Sequence, residues 1–485
     1  MRSRADGRGK RIAKAAALCS CMICGSARAD FYDDPFSTTG KLPLPVSERL
    51  ATLDLPCSAG ALKLPLTSLD AVRHALCHNP RTRQAWAAVE AQAAAVGLGQ
   101  SAYWPSVDAA AGISRVSVRS KYPDQPELDS SFDGSSDGQS INLDWVLYDF
   151  GLRAANLRQE RALFRALCAS QNEAILAVFL DTAQAYFAAE QAQATFAAEA
   201  ETEQAAEHSA VVAEAKVAAG VGLEADRLQA KTAHAQASLN RIRAHEKLES
   251  AQGALARALG ARPGTPITLS APGQETDDAL AEAQIELLMG RALQVHPRIA
   301  AARAQLEAAQ DGVSAARAGG RPRISLGAFA DRSDTPVDRV ASRQNIETSS
   351  LGLRLRAPLF EGFGRTYRIR QAESVVEGRE AELLAARQDV AQAVWESYVA
   401  VRGSSEARKA SRSLLESASQ SFELASGRYK AGVGNIIELL RAQSDLAAAR
   451  QQEVMARTRW RLARLELAAS LGRIDFWMLR EAEKK

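Results

Sequence analysis

The chain has 485 residues, 46% apolar and 24% charged, enough hydrophobic material for one large domain or several ordinary ones, so disorder is excluded as the default. Its formal charge of +3 is carried by the N-terminus: residues 1–29 hold seven basic groups and one acid, and without them 53 Lys and Arg face 56 Asp and Glu, a net charge near −3. That balance, with no basic patch interleaved with aromatics, gives no sign of nucleic acid as a partner, and none is expected.

Arg2, Arg4, Arg8, Lys10, Arg11 and Lys14 form a basic n-region, Ile12 to Gly25 an apolar h-region, and Ala27-Arg28-Ala29 a cleavage signal. The h-region is too short to cross a bilayer as a stable helix, so residues 1–29 read as a Sec signal peptide cleaved after Ala29. A retained anchor is a weaker reading. So is a lipoprotein, because Leu18-Cys19-Ser20-Cys21 puts a cysteine where a small aliphatic residue belongs. Residues 30–67 read as an extended N-terminal segment. Cys57, Cys77 and Cys168 survive cleavage, and an oxidising periplasm permits one bridge among them. Cys57–Cys77 is the expected pair: they flank a Pro-containing segment, whereas Cys168 lies in a long helical pattern where a small apolar side chain packs well.

From here the chain repeats itself. Asn79-Pro80 matches His296-Pro297 and Trp104-Pro105 matches Arg321-Pro322, both at an offset of 217 residues. Val146-Leu147-Tyr148-Asp149 answers Pro358-Leu359-Phe360-Glu361, Ala219-Gly220-Val221-Gly222 answers Ala431-Gly432-Val433-Gly434, and Leu259-Gly260 answers Leu471-Gly472, all at 212. The first repeat is set at 68–262, a linker at 263–278, the second repeat at 279–472 and a tail at 473–485. Each repeat predicts one helix of modest length (about Leu69–Ser101; about Ala279–Ala318), two strands around a polar loop, one very long helix, a Gly turn and another long helix. No Gly or Pro interrupts Leu152 to Ala219, a stretch of roughly 100 Å as a helix. Small apolar residues near heptad spacing favour a coiled-coil-like array.

Ile141, Leu143, Trp145 and Leu147 alternate with Asn142, Asp144, Val146 and Tyr148; Leu351, Leu353 and Leu355 alternate with Gly352, Arg354 and Arg356. Ile324, Leu326, Ala328 and Ala330 alternate with Arg323, Ser325, Gly327 and Phe329, while Val107 to Arg119 alternates less cleanly. Strands of about ten residues match a tilted bilayer span, and Arg354 and Arg356 suit a wet lumen. Ser120–Gly138 and Arg332–Asn345 read as extracellular loops. Two hairpins leave open edges, which lipid does not tolerate, and four strands cannot close around a lumen. Closure must come from oligomerisation, and a trimer supplies twelve strands.

The duplicated Asn/His-Pro, the Pro opening each repeat's first strand, Pro358-Leu359-Phe360-Glu361-Gly362 and the Gly turns together resemble the TolC-like outer membrane factor family over nearly the whole mature chain. The resemblance implies a mainly α fold with a membrane β-barrel: a homotrimeric twelve-stranded barrel, four strands per protomer, joined to a periplasmic α-helical tunnel. It implies a periplasmic adaptor (membrane fusion protein) and an inner-membrane ABC or proton-driven transporter as partners, protein or small-molecule cargo, outer-membrane lipid around the barrel, and no cofactor. The narrower likeness is to members serving type I secretion of a large repeat-containing toxin of the adenylate cyclase/haemolysin type. Drug or metal efflux is the alternative, and a periplasmic adaptor or structural tether the reading from another class.

By the same resemblance, Ala219, Gly220, Val221, Ala431, Gly432 and Val433 are the adaptor-docking tip. The glycines suit a helix reversal, which needs positive φ. The family's acidic constriction ring falls on Glu438, while Arg441 stands where a second acid is expected; Asp226 and Gln229 are their first-repeat equivalents. Three Glu438 would favour cations and three Arg441 would offset that field. No nucleophile elbow, phosphate loop or dinucleotide fingerprint occurs, and no catalytic residue is assigned. His74 and His78 flank Cys77 at i,i+4, but no further ligands share the neighbourhood, so no metal is expected. Trp86, Trp104 and Trp145 read as packing or membrane-interface residues.

Overall fold

The computed structural model describes residues 34–52, 56–57, 64–270, 285–336 and 343–472. The expected signal peptide 1–29, the expected tail 473–485, part of the expected linker 263–278 and Ala279, the expected start of the second repeat, lie outside the described residues. The chain divides into two compact units, one around residues 90–161 and 311–369 and the other around 44–89, 162–310 and 370–485.

Nine α-helices are described: α1 (Val46–Ala51), α2 (Ser68–His78), α3 (Pro80–Ser101), α4 (Leu152–Ala218), α5 (Glu224–Ala258), α6 (Ile285–Val295), α7 (Pro297–Ala318), α8 (Gly364–Lys430) and α9 (Ile436–Ser470). Helices α4 and α8 have 67 residues each and α5 and α9 have 35 each, so the duplication holds to the residue. The buried positions explain why four such helices lie side by side. Ala230, Ala237 and Ala244 of α5 recur every seven residues, as do Ser397, Ser404, Ser411, Ala418 and Ala425 of α8. A seven-residue repeat of small side chains is the signature of close, left-handed supercoiling. The buried serines are satisfied within their own helix: Ser397 Oγ donates to Ala393 O at 2.7 Å and Ser411 Oγ to Arg408 O at 2.9 Å.

In each repeat the expected first helix is two. Helix α2 stops at His78 and α3 begins at Pro80; α6 stops at Val295 and α7 begins at Pro297. Proline lacks the N–H that would continue the helix and drives its predecessor extended, as Asn79 is at ψ 131°. The residue before each proline then caps the new helix. Asn79 Oδ1 accepts from Arg81 N–H at 2.9 Å, and His296 Nδ1 accepts from Arg298 N–H at 3.2 Å.

That cap needs an unprotonated His296 Nδ1, and burial, then the Arg298 charge, hold this imidazole below the ordinary histidine range. A histidine depressed in the folded state contributes stability above its unfolded pKa of about 6.5 and loses it as pH falls below that value. Acidification below pH 6.5 is expected to lower the unfolding temperature, and His296→Asn, which copies the Asn79 cap, is expected to flatten that part of the curve. Thermal melts at stepped pH check it.

The core of the second unit is built where α2 meets α4 and α5: Leu69, Val72, Ala75 and Leu76 pack with Val178, Phe179 and Ala183 and with Leu255 and Leu259. Although α4 holds a window apolar enough to cross a membrane, Phe179, Ala183 and Tyr186 are spent on this core. Residues 263–270, read as part of a linker, do more than connect: Ile267 and Leu269 are buried, and Leu66 and Leu269 form a parallel bridge, with Leu66 N–H donating to Thr268 O at 2.7 Å. Cys57 and Cys77 are disulfide-bonded, Cα–Cα 5.9 Å, beside the same core. Cys168 is a half-buried free thiol pushed up by burial.

The first unit holds one antiparallel sheet in the order β1 (Ser106–Ser120), β2 (Ser130–Tyr148), β3 (Arg323–Pro336), β4 (Arg343–Arg356). Strands β2 and β3 pair across the repeat boundary, leaving β1 and β4 as edges.

Two expectations need correction here. The strands run 14 to 19 residues, not about ten, so Ser120, 130–138, 332–336 and 343–345 are strand rather than loop. The register shows why. One face carries Val107, Leu143, Ala328 and Leu351 in one row and Ala109, Ile141, Ala330 and Ser349 in the next, then turns polar at Ala111, Gln139, Arg332 and Glu347. Apolar content marks only one stretch of this face, while the ladder, which needs no apolar side chain, continues.

The second correction concerns Leu147 and Tyr148. A bulge between Val146 and Tyr148 places Tyr148, not Leu147, opposite Ile324. One extra residue flips the parity, so Tyr148 shares the apolar face.

Candidate functional site

Two constellations stand out: the turns at the helical tips and the junction where the sheet hands over to α4.

Each tip is a turn of the form Ala-Gly-Val-Gly. The φ angles of Gly220 and Gly432 are 76° and 80°, a region where L-residues are strained, and open space surrounds both. The second glycine serves a different need. A Cβ on Gly222 would lie 2.9 Å from Val217 N, and one on Gly434 3.1 Å from Tyr429 N. The reversal is closed by matched hydrogen bonds: Val221 and Gly222 N–H both donate to Lys216 O, and Val433 and Gly434 N–H to Arg428 O, each at 3.0–3.1 Å. Ala219, Val221, Ala431 and Val433 are exposed, so both turns offer an aliphatic side chain to solvent.

Below the turns the two repeats part company. Ala210 and Ala213 of α4, Ala230 of α5, Tyr429 of α8, and Ile436 and Leu439 of α9 form one small core that all four long helices share. Lys216 and Arg428 occupy equivalent positions. Arg428 Nε lies 3.7 Å from Glu438 of its own hairpin. Lys216 instead reaches across, its Nζ donating to Tyr429 O at 3.0 Å and lying 3.8 Å above that ring. Burial, and then nearby Asp226, push the Tyr429 phenol above its ordinary range.

Of the four expected constriction residues, Asp226 is half-buried in the first turn of α5 and Gln229 is exposed one turn on. Glu438 and Arg441 are exposed on successive turns of α9. The Glu438 N–H is capped by Asn435 Oδ1 at 2.7 Å, a cap that Leu223 cannot provide in the first repeat. The sequence reading missed Arg428 as the partner of Glu438 and Lys216 as the link between hairpins. The offset of 212 would have revealed both as a duplicated basic position.

The junction is organised by Arg153. The bulge leaves Leu147 without a partner on β3, and β1 ends opposite Asp144; Arg153 binds the carbonyls at this end of β2, Nη1 donating to Val146 O at 2.6 Å and Nη2 to Leu147 O at 3.3 Å. Nη1 also reaches Ala102 O at 3.2 Å, Nε donates to Asp149 Oδ2 at 2.9 Å, and the guanidinium lies 4.7 Å from the Tyr103 ring centroid. Asp149 in turn accepts from Gly151 N–H at 3.2 Å and Arg153 N–H at 2.9 Å across two residues of positive φ, Phe150 and Gly151. In the second repeat Arg365 donates to Gly320 O and Arg317 O at 3.2 and 3.3 Å, and Glu361 pairs with Arg368. Trp145 Nε1 donates to Tyr103 O at 2.9 Å and Trp104 is exposed, both at this end of the sheet. Elsewhere, His74 and His78 stack at 4.2 Å. Among the described residues no group of three or more His, Cys, Asp or Glu is placed to hold a metal.

The profile of the outer membrane efflux protein family matches residues 71–261 and 288–473, each half covering one helix–sheet–helix repeat. The chain belongs to the outer membrane efflux protein family. It is 34% identical over 427 residues to protein CyaE of Bordetella pertussis, covering 86% of this chain and 87% of that one. Its fold is similar to that of two solved channels. The Campylobacter jejuni CmeC outer membrane channel gives a TM-score of 0.72 at 18% identity, over 86% of this chain and 89% of that one. The outer membrane protein VceC of Vibrio cholerae gives 0.70 at 19%, over 84% and 96%.

This channel therefore has the family's architecture, with four strands per protomer in a twelve-stranded outer-membrane barrel and long helices in the periplasm. Channels of the family are homotrimers that act with periplasmic adaptors and inner-membrane transporters, and they are not enzymes. The open β1 and β4 edges fit that state, since a sheet can cross lipid only when closed.

Proposed function

We propose that this chain is the passive exit duct of a type I protein-secretion system, delivered through a signal peptide cleaved after Ala29, catalysing no reaction and binding no cofactor. The observation that carries the reading is the join of one apolar-faced sheet with two open edges to two equal helical hairpins, in a chain alike to CyaE along most of both lengths. The exposed Ala-Gly-Val turns are the adaptor seats. Their backbone is fixed by the glycines, so the aliphatic Val221 and Val433 side chains are presented at little entropic cost. Three copies of Glu438 and Arg441 line the constriction, with Arg428 drawing each Glu438 back toward its own hairpin.

Planar-bilayer conductance of the detergent-purified protein, with cross-linking on the same sample, tests this. A trimer forming discrete cation-preferring pores is expected. Glu438→Gln is expected to lower the cation preference and Arg441→Gln to raise it. A monomer or dimer without conductance would sink the reading and leave an envelope tether as the better account.

A further inference from the structure

The second face of the sheet, opposite Leu326, Leu351, Leu353 and Leu355, is not uniformly polar. Its charges are sorted along the strands. At the end nearest the helices Arg323 of β3 stands directly opposite Arg356 of β4, and Arg354 stands opposite Ser325 in the next row of the same face. Like charges placed directly across a ladder are destabilising, so this pairing is a local cost with no packing return. All three arginines are exposed, and among the described residues none forms an ion pair.

The rows that follow toward the loops carry carboxylates. Asp144 shares a row with Gly327 and Gly352, Asp108 with Asn142, Phe329 and Ser350, and Asp331 with Ala110, Ser140 and Thr348. Asn142 Nδ2 donates to Asp108 Oδ2 at 3.0 Å, which fixes one of them. On β3 the middle of the arginine rows and the middle of the aspartate rows lie five residues apart, about 17 Å at strand rise. That is about twice the Debye length at physiological salt, so the outer rows of the two bands keep their opposite signs, while the adjoining rows of Arg354 and Asp144, two residues apart on β3, partly offset each other.

We propose that the barrel lumen is bipolar: a guanidinium girdle at the helix-side end, built from Arg323, Arg354 and Arg356 of each protomer, holds carboxylates of an acidic polypeptide in transit, and an aspartate band nearer the loops repels them onward. This rests on the channel reading above. Weak, repeated ion pairing at the girdle suits passage, because a site must be favourable enough to enter and weak enough to leave.

The test is single-channel recording of the full-length protein at 0.1 M KCl with poly-glutamate as the probe. Poly-glutamate added on the helix side is expected to block the current, and the open-channel current is expected to rectify. Both effects should fade at 1 M KCl, where screening shortens to about 3 Å. The Arg323→Gln, Arg354→Gln, Arg356→Gln triple variant is expected to weaken the block at least tenfold and to straighten the current–voltage curve, while the triple Arg→Lys variant keeps both.

A triple glutamine variant that forms channels with unchanged block and rectification overturns the girdle and leaves the duct standing; no channels from the unmodified protein would bring down the duct itself. Loss of the block in the lysine variant as well would show that the guanidinium forks tie protomers together rather than meet cargo, and would also overturn the proposal. Where the triple glutamine variant fails to assemble, Arg354→Gln alone is expected to give a partial loss of block, and none would count against the girdle.

Discussion

Arg153→Ala is expected to destabilise the sheet-to-helix junction by about 3–5 kcal/mol, the cost of breaking a buried ion pair by removing one partner. The Arg153 and Asp149 side chains are only 13% and 9% exposed, so water cannot readily replace what is lost. The variant would strand the Asp149 carboxylate and leave Val146 O and Leu147 O, at the end of β2, without the Arg153 donor. Arg153→Lys should recover part of the loss, since an ammonium keeps the charge but cannot fork toward three carbonyls and a carboxylate together. Arg365→Ala in the second repeat should cost far less, about 1 kcal/mol, because that guanidinium is exposed and, among the described residues, hydrogen-bonds only Gly320 O and Arg317 O. The temperature at which the detergent-resistant oligomer falls apart ranks the three. Equal losses for Arg153→Ala and Arg365→Ala would show that burial at the junction is not what matters.

Removing the Cys57–Cys77 bridge is the second large effect. A cross-link closing 20 residues restricts the unfolded chain by about 3 kcal/mol. Here it also anchors the stretch before α2 beside Leu66, whose carbonyl accepts from Tyr186 Oη at 3.2 Å. The double variant Cys57→Ser, Cys77→Ser should therefore unfold at lower denaturant, and reducing the native protein should reproduce the shift. Cys168→Ser should leave the midpoint within the scatter of ordinary substitutions. A reductant effect that survives in the double variant would place the sensitivity elsewhere.

The long helices were legible because their punctuation is local and chemical. Gly220, Gly260, Gly432 and Gly472 all have positive φ, and each stands where the repeat predicted a stop. The break of each first helix was also written in the sequence, at Asn79-Pro80 and His296-Pro297, but a periodic apolar pattern on both sides hid it, since a proline at the first helical position ends one helix and starts another without changing composition. Strand ends were hidden for the opposite reason. Ser130 to Gly138 has no apolar alternation, yet it pairs in register with β1 from Ser120 to Gly112. At the site, Gly220, Gly432, Glu438 and Arg441 could be placed by counting from a turn. Arg153 and Lys216 could not, because their partners are carbonyl oxygens at a strand end or presented by a different hairpin, and no spacing along one segment encodes that.

The equality of the two repeats constrains how this molecule can change. A seven-residue insertion in α4 and α5 alone would carry Gly220 about 10 Å past Gly432, and the cluster of Ala210, Ala213, Ala230, Tyr429, Ile436 and Leu439 could no longer assemble. Lengthening the tunnel therefore takes matched insertions in four helices at once, a step that single mutations cannot approach gradually. Periplasmic reach is in effect inherited rather than tuned, and adaptation to a wider envelope falls to whatever docks beneath it.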